Sequence, residues 1–116
     1  MKCCPQIVAS QDFTGQTGAL AATTIYTPTS DGTFLILVAN STQANGPATL
    51  GIATLTTTDE YGNAISKSAT AAGNSFTLQI QEVLRVGSGQ PIQISAALGG
   101  SPPVLYDVFV VILQLE

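Results

Sequence analysis

Apolar residues recur at every second position over long parts of the chain. In SFTLQIQEV, Phe76, Leu78 and Ile80 alternate with Ser, Thr and Gln, and QPIQISAAL repeats the pattern with Ile92 and Ile94. A period of two is typical of a strand with one buried face, because successive side chains point to opposite sides. No segment has an apolar stripe of helical period, and the abundant Thr, Val and Ile favour strands. The chain is therefore predicted to be all-β, with these five residues facing its core.

Turn signals rich in Gly, Pro, Asn and Asp separate the alternating segments. Examples are PTSDG at 28–32, NGP at 45–47 and VGSGQP at 86–91. The predicted strands cover residues 6–13, 19–27, 33–40, 48–58, 63–69, 75–84, 91–98 and 104–115. About eight strands at this spacing are typical of a jelly-roll β-sandwich. Since no linker or second composition interrupts them, we predict a single jelly-roll domain over residues 6–116, preceded by a flexible arm at residues 1–5.

Two segments break the alternation because they are apolar at successive positions. They are FLILVA at 34–39 and YDVFVVIL at 106–113. In a two-sheet fold each sheet covers only one face of the other, so a strand that is apolar on both faces needs a second cover. A neighbouring subunit is the simplest candidate, and the sequence therefore predicts a homo-oligomer.

The last of these strands contains two apolar sets that point in opposite directions. One set is Val108, Val110 and Ile112, and the other is Phe109, Val111, Leu113 and Leu115. One is expected to fill the core and the other to pack on symmetry mates, and the alternation leaves both assignments open. We predict a homotrimer with this strand along its axis. The predicted interface residues are Phe109, Val111, Leu113, Leu115, Leu35 and Leu37.

Charged residues are scarce, at 9% of the chain, with three basic and seven acidic side chains. Lys2, Lys67 and Arg85 are the only basic residues and form no cationic run, so nucleic acid is not an expected partner. The longest apolar run, residues 108–113, is far shorter than the roughly 20 residues of a spanning helix, and no membrane partner is expected. The N-terminus lacks a signal-peptide core, which predicts synthesis in a host cytoplasm.

The residues needed for catalysis are missing or scattered. The chain has no His, the commonest general base and a frequent metal ligand. Asp59 and Glu60 are adjacent, but a turn in TTTDEYGN explains both, and two carboxylates fall short of the six to eight oxygens that Ca²⁺ takes. We therefore expect a protein that is not an enzyme and that holds no metal or cofactor.

Several other polar residues have two interpretations. Cys3 and Cys4 are either reduced thiols or disulfide partners of neighbouring subunits. Asp107 lies either at the wet rim of the last strand or buried against Arg85. The three tyrosines are either packing residues, which is the commoner role in β folds, or ligand-stacking residues.

The segments IYTPTSDGTFLILVAN, GQPIQI and YDVFVVILQL resemble, in order and spacing, the jelly roll of the tumour necrosis factor and complement-globular-head superfamily. The corresponding positions are Pro28, Gly32, Phe34, Gly89 and the apolar run that ends at Leu115. The resemblance implies a tight trimer in which the first and last strands are neighbours in the inner sheet. The short, weakly charged chain is similar to versions of this domain in phage and prophage virions.

These observations predict a virion structural protein, most simply a trimeric phage capsid decoration (cement) protein within a larger virion assembly. The protein would attach to the major capsid or tail protein through the arm, which contains Lys2, Cys3, Cys4 and Pro5. One alternative is a trimeric knob of a tail fibre or cell surface that binds a receptor or glycan through its loops. Another is a subunit of an extended filament.

Overall fold

The chain forms eight strands and no helix in the residues described by the structure, a computed structural model. The described residues are 5–16, 18–42, 49–73, 77–98 and 105–116. The strands are β1 (Gln6–Gln16), β2 (Leu20–Tyr26), β3 (Gly32–Thr42), β4 (Thr49–Thr58), β5 (Ala64–Gly73), β6 (Thr77–Val86), β7 (Ile92–Leu98) and β8 (Tyr106–Gln114). Each predicted strand is present, with its ends displaced by a few residues. Within the described ranges there is no helix long and apolar enough to cross a membrane.

The strands form two antiparallel sheets of four strands each. The first sheet has the order β1-β8-β3-β6 and the second the order β2-β7-β4-β5. Only β4 and β5 are neighbours both along the chain and within a sheet, so the other successive strands cross between the sheets. This connectivity is that of a jelly roll. The predicted all-β jelly-roll sandwich is confirmed, including the pairing of the first strand with the last.

The core lies between the two sheets and contains one side of each central strand. Leu78, Ile80, Ile92 and Ile94 are buried in it, as predicted. The remaining residue of that prediction, Phe76, lies outside the described residues. Strands β3 and β8 contribute the largest share of the core. Their buried side chains are Phe34, Ile36, Val38, Tyr106, Val108, Val110 and Ile112.

Three connections interlock at one end of the sandwich. The backbone N–H of Gly87, after β6, donates to the carbonyl of Thr58 at the end of β4, with an N–O distance of 3.1 Å. The next N–H, of Ser88, donates to Asp31 Oδ1 in the β2–β3 connection at 2.7 Å. Gly87 is buried by this approach because the β4–β5 turn passes directly over its Cα.

We expect Gly87→Ala to loosen this end of the sandwich. A Cβ at residue 87 would lie 2.8 Å from the backbone oxygen of Asp59 and 3.1 Å from Glu60 Cα, which is too close for either to stay in place. Overpacking of this kind lowers the free energy of unfolding by about 1–3 kcal/mol. Gly18→Ala is the control, since a Cβ there meets open space. Equal losses of stability in urea titrations of the two variants would contradict the proposed clash.

A second prediction concerns Asn40, which is fully buried on the core side of β3 beside Leu78 and Val108. Neither its amide nitrogen nor its amide oxygen has a hydrogen-bond partner among the described residues. A buried polar group without a partner costs about 1–3 kcal/mol, so Asn40→Leu is expected to raise the free energy of unfolding by a similar amount. Chemical denaturation measures the change, and a loss of stability would contradict this assignment.

Candidate oligomer interface

Strand β8 places its two apolar sets on opposite sides of the first sheet. Val108, Val110 and Ile112 face the core and are fully buried. Phe109 points the other way and is 45% exposed. The alternation left both assignments open, and the structure places the set that contains Val108 in the core. Val111 and Leu113, from the other set, are half-buried.

We call the part of the outward side of the β1-β8-β3-β6 sheet that is level with Phe109, Val111 and Leu113 the apolar face. Strand register aligns three rows of four residues across it, because residues paired on neighbouring strands point to the same side. In order from β1 to β6, they are the Phe109 row (Asp12, Phe109, Ala39, Gln79), the Val111 row (Ser10, Val111, Leu37, Gln81) and the Leu113 row (Ile7, Leu113, Leu35, Val83).

The two central columns of this grid are entirely apolar. In the Phe109 and Val111 rows the outer columns are polar, with Ser10 and Asp12 on β1 and two glutamines on β6. The Leu113 row differs because it is apolar from one sheet edge to the other. Its end residues, Ile7 and Val83, are 68% and 59% exposed. An apolar centre with a partly polar rim is typical of a protein–protein interface.

The structure brings five of the six residues predicted for the interface to one side of the sheet, where they lie in the two central columns. The sixth, Leu115, follows β8, and its backbone N–H donates to the carbonyl of Thr33 at 2.8 Å, which keeps the chain paired beyond the end of the strand. Full burial of each such side chain contributes about 1.5–3 kcal/mol of favourable free energy. A monomer would not gain this contribution for the part of each side chain that stays exposed.

A shallow groove of about 320 Å³ lies within the apolar face. Its lining includes Ala39, the smallest side chain of the two central columns, with Phe109 on the neighbouring strand β8 and Gln79 and Gln81 on β6. The face therefore has a bulky aromatic group and a depression beside it.

Arg85 binds Glu60 and not Asp107, so the interpretation of Asp107 as buried against this arginine is wrong. The guanidinium donates two hydrogen bonds to the Glu60 carboxylate, at 2.8 and 3.1 Å, and a third to Thr33 Oγ1 at 3.1 Å. The bond to Glu60 raises the pKa of Arg85. Asp107 is half-buried and accepts a hydrogen bond from the Gly15 N–H at 2.9 Å.

Asp59 closes the β4–β5 turn, as the sequence indicated. Its carboxylate accepts hydrogen bonds from the backbone N–H groups of Tyr61 and Asn63 at 2.9 and 2.8 Å. The bond from the Asn63 N–H is the main cause that lowers the pKa of Asp59. Within the described parts of the chain, no three acidic or cysteine side chains come together as metal ligands would.

The three tyrosines have different surroundings. Tyr106 is fully buried, and its hydroxyl donates to the carbonyl of Gly18. Burial raises the pKa of this phenol. Tyr26 packs against Phe34 with ring centroids 6.0 Å apart, whereas Tyr61 is 82% exposed on the β4–β5 turn. Of the three, only Tyr61 is available for stacking.

Sequence reasoning did not identify the two ends of the Leu113 row, Ile7 and Val83, as residues of this face. It also assigned attachment to the N-terminal arm, most of which lies outside the described residues. Ile7 and Ser10 both point outward although their numbers differ in parity, because the register shifts between Ile7 and Ala9. Val83 continues the alternation of β6 on its outward side, which was not assigned to the interface. Of the predicted arm, Lys2, Cys3 and Cys4 lie outside the described residues, and Pro5 is exposed.

Comparison with known proteins agrees with the fold. No protein-family model and no curated protein matches the sequence. Among solved structures, the chain is similar to the Eiger TNF of S. frugiperda, with 10% identity over 95% of this chain and 93% of that one, and a TM-score of 0.51. It also matches a carbohydrate binding module (CBM6cm-2) from Cellvibrio mixtus lichenase 5A, with 15% identity over 96% and 91% of the two chains and a TM-score of 0.40. The chain thus has a jelly-roll fold like that of tumour necrosis factors.

A carboxylate placed in the apolar face is expected to prevent assembly without unfolding the domain. In Phe109→Asp and in Val111→Asp, a charge would have to be desolvated in the contact, which costs several kcal/mol per copy. Ser66→Asp is the matched control, because Ser66 is an exposed strand residue of the second sheet. Light scattering should give an oligomer for the wild type and the control, and a monomer for both interface variants. An unchanged mass in these variants would contradict the assignment of the interface.

Proposed function

We propose that this chain is a non-enzymatic structural subunit that works as a homotrimer. The observation that carries the proposal is the apolar face, whose two central columns consist of exposed or half-exposed Leu, Val, Phe and Ala side chains. A patch of this kind, contiguous and partly rimmed by polar groups, is a recognised property of subunit interfaces. The chain also lacks His, and the only described arginine is held by a carboxylate and a hydroxyl.

The trimer is proposed to be a virion component, most simply a decoration protein on a phage capsid. Its outer wall would be the second sheet, whose outward residues on β4 and β5 are mostly small and hydroxylated. Thr54 and Ser68, for example, are hydrogen-bonded to each other at 3.1 Å across these strands. The described outward positions of these two strands include no charged residue. An outer surface with this composition is more consistent with a coat protein than with a surface that binds a charged ligand.

The alternative is a trimeric knob that binds a receptor or glycan. It is favoured by Tyr61, an aromatic ring that is 82% exposed at the interlocked end of the sandwich. The Asx-type hydrogen bonds of Asp59 hold the backbone of this turn in a defined conformation. Exposed aromatic groups on ordered loops are common in recognition surfaces.

Copy number in purified virions separates the two proposals. Virions produced by the cells that encode this chain would be purified and their proteins quantified by mass spectrometry. A copy number close to that of the major capsid protein is expected for a decoration protein. A few copies per particle would support the knob, and absence from the particles would contradict both virion roles.

A further inference from the structure

The sandwich has two sides at which strand edges lack a partner among the described residues. The edge strands are β1 and β6 in the first sheet and β2 and β5 in the second. β1 lies beside β2 at one side of the sandwich, and β5 lies beside β6 at the other, which we call the β5–β6 side. Because an unpaired edge offers free N–H and C=O groups, it can bind a strand of another molecule and cause uncontrolled association.

The two sides differ in the regularity of their edges. The register of β1 against β8 shifts twice, after Ile7 and after Phe13, and that of β2 against β7 shifts after Leu20 and after Thr24. Irregularities of this kind twist an edge away from a straight partner strand. On the β5–β6 side, all ten residues of β5 pair with β4, and all ten of β6 pair with β3, without a shift. This side therefore needs another form of protection.

Charged side chains of the β5–β6 side point towards the space between the sheets. Lys67 of β5 pairs with the buried Leu55 of β4. Glu82 of β6 pairs with the buried Ile36 of β3. Residues paired on neighbouring strands point to the same side, so both charged side chains point inward. Lys67 Nζ lies 3.9 Å from Glu82 Oε1, and the ion pair bridges the two edges.

Stability does not explain the position of this ion pair. The two side chains are 47% and 34% exposed, and ion pairs in such surroundings contribute little to the free energy of unfolding. Other inward positions of these strands are apolar, such as Ile65 on β5 and Leu84 on β6. Inward-pointing charges on edge strands are one of the means by which natural sheets avoid strand addition.

A second copy joined at these edges would enclose the charges. If β5 paired with β5 and β6 with β6 of the other copy, the space between the sheets would become continuous across the contact. Lys67 and Glu82 of both copies would then lie at the join and would lose their water, which costs more than a loosely held ion pair returns.

We propose that Lys67 and Glu82 together block the β5–β6 side against a second copy of this chain. A second copy is the partner to be excluded because it presents two regular edges at the same separation, which a single peptide strand does not. The blocked contact is isologous, with each strand antiparallel to its own counterpart. Both charges point away from the apolar face, so the inference does not depend on the homotrimer of the proposed function.

Neutral replacements test the proposal. Lys67→Thr combined with Glu82→Thr removes one positive and one negative charge, so the net charge stays at −4, and threonine is favourable in strands. Sedimentation velocity from about 1 to 100 µM is expected to show a mass that rises with concentration to at least about twice that of the wild type. Each single variant keeps one inward charge and is expected to keep the wild-type mass.

The matched control is the charge-reversed variant, Lys67→Glu with Glu82→Lys. It keeps both charges between the sheets and should have the wild-type mass at every concentration. Circular dichroism checks that each variant is folded. Lys67→Met with Glu82→Gln removes the same charges at nearly unchanged side-chain size, so it gives the answer if the threonine variant does not fold.

Two results would overturn the proposal. One is a folded neutral variant that keeps the wild-type mass up to the highest concentration, and the other is association of the charge-reversed variant. Every mass is compared with that of the wild type. A monomeric wild type whose neutral variant associates would therefore contradict the homotrimer and leave the block at the β5–β6 side intact.

Discussion

Strand β8 carries apolar side chains on both faces, and the arrangement of the first sheet depends on that property. Its inward side chains, Val108, Val110 and Ile112, are fully buried between the sheets. Its backbone is paired on both edges, with β1 and with β3, so the strand lies inside the sheet. Of the apolar outward side chains, Phe109 is 45% exposed and Val111 and Leu113 are half-buried. The domain therefore buries its own core and leaves a partly exposed apolar face, which we propose is covered by other copies of the chain.

The position of β8 also explains the division of the surface. Its other sheet neighbour, β3, is the second strand that is apolar at successive positions, and the register places Leu35, Leu37 and Ala39 beside the outward residues of β8. The polar residues of β1 and β6 then frame this centre in two of the three rows. The second sheet has one buried side and one hydroxylated side, which is the usual arrangement in a sandwich. The asymmetry between the two sheets supports association through the first.

The sequence predicted most of the fold because alternation is a local property. Leu78, Ile80, Ile92 and Ile94 were assigned to the core on their spacing alone, and all four are buried. The residues of the apolar face were predicted in part, since Phe109, Val111 and Leu113 are consecutive odd positions of one strand. One end of the Leu113 row, Ile7, was missed because a shift in register reverses its parity relative to Ser10. Such a shift depends on pairing with β8, which no spacing within β1 records.

The partner of Arg85 was missed for a similar reason. Glu60 lies 25 residues away on the β4–β5 turn, and the two meet only because the connections at that end of the sandwich interlock. Asp107 is adjacent to an apolar run and was the more visible candidate, yet the fold pairs it with the Gly15 backbone. Long-range polar contacts can therefore be predicted only when the topology is known, whereas the buried apolar positions can be predicted from local spacing.

We propose that the apolar outward side of β8 makes this chain an obligate homo-oligomer. Sedimentation equilibrium of the wild-type protein from about 1 to 100 µM tests this proposal most directly, because burial of the apolar face in every copy would keep the oligomer intact on dilution. We predict a single species of three times 11.9 kDa over the whole range. A species of 11.9 kDa that is stable at the highest concentration would contradict the account.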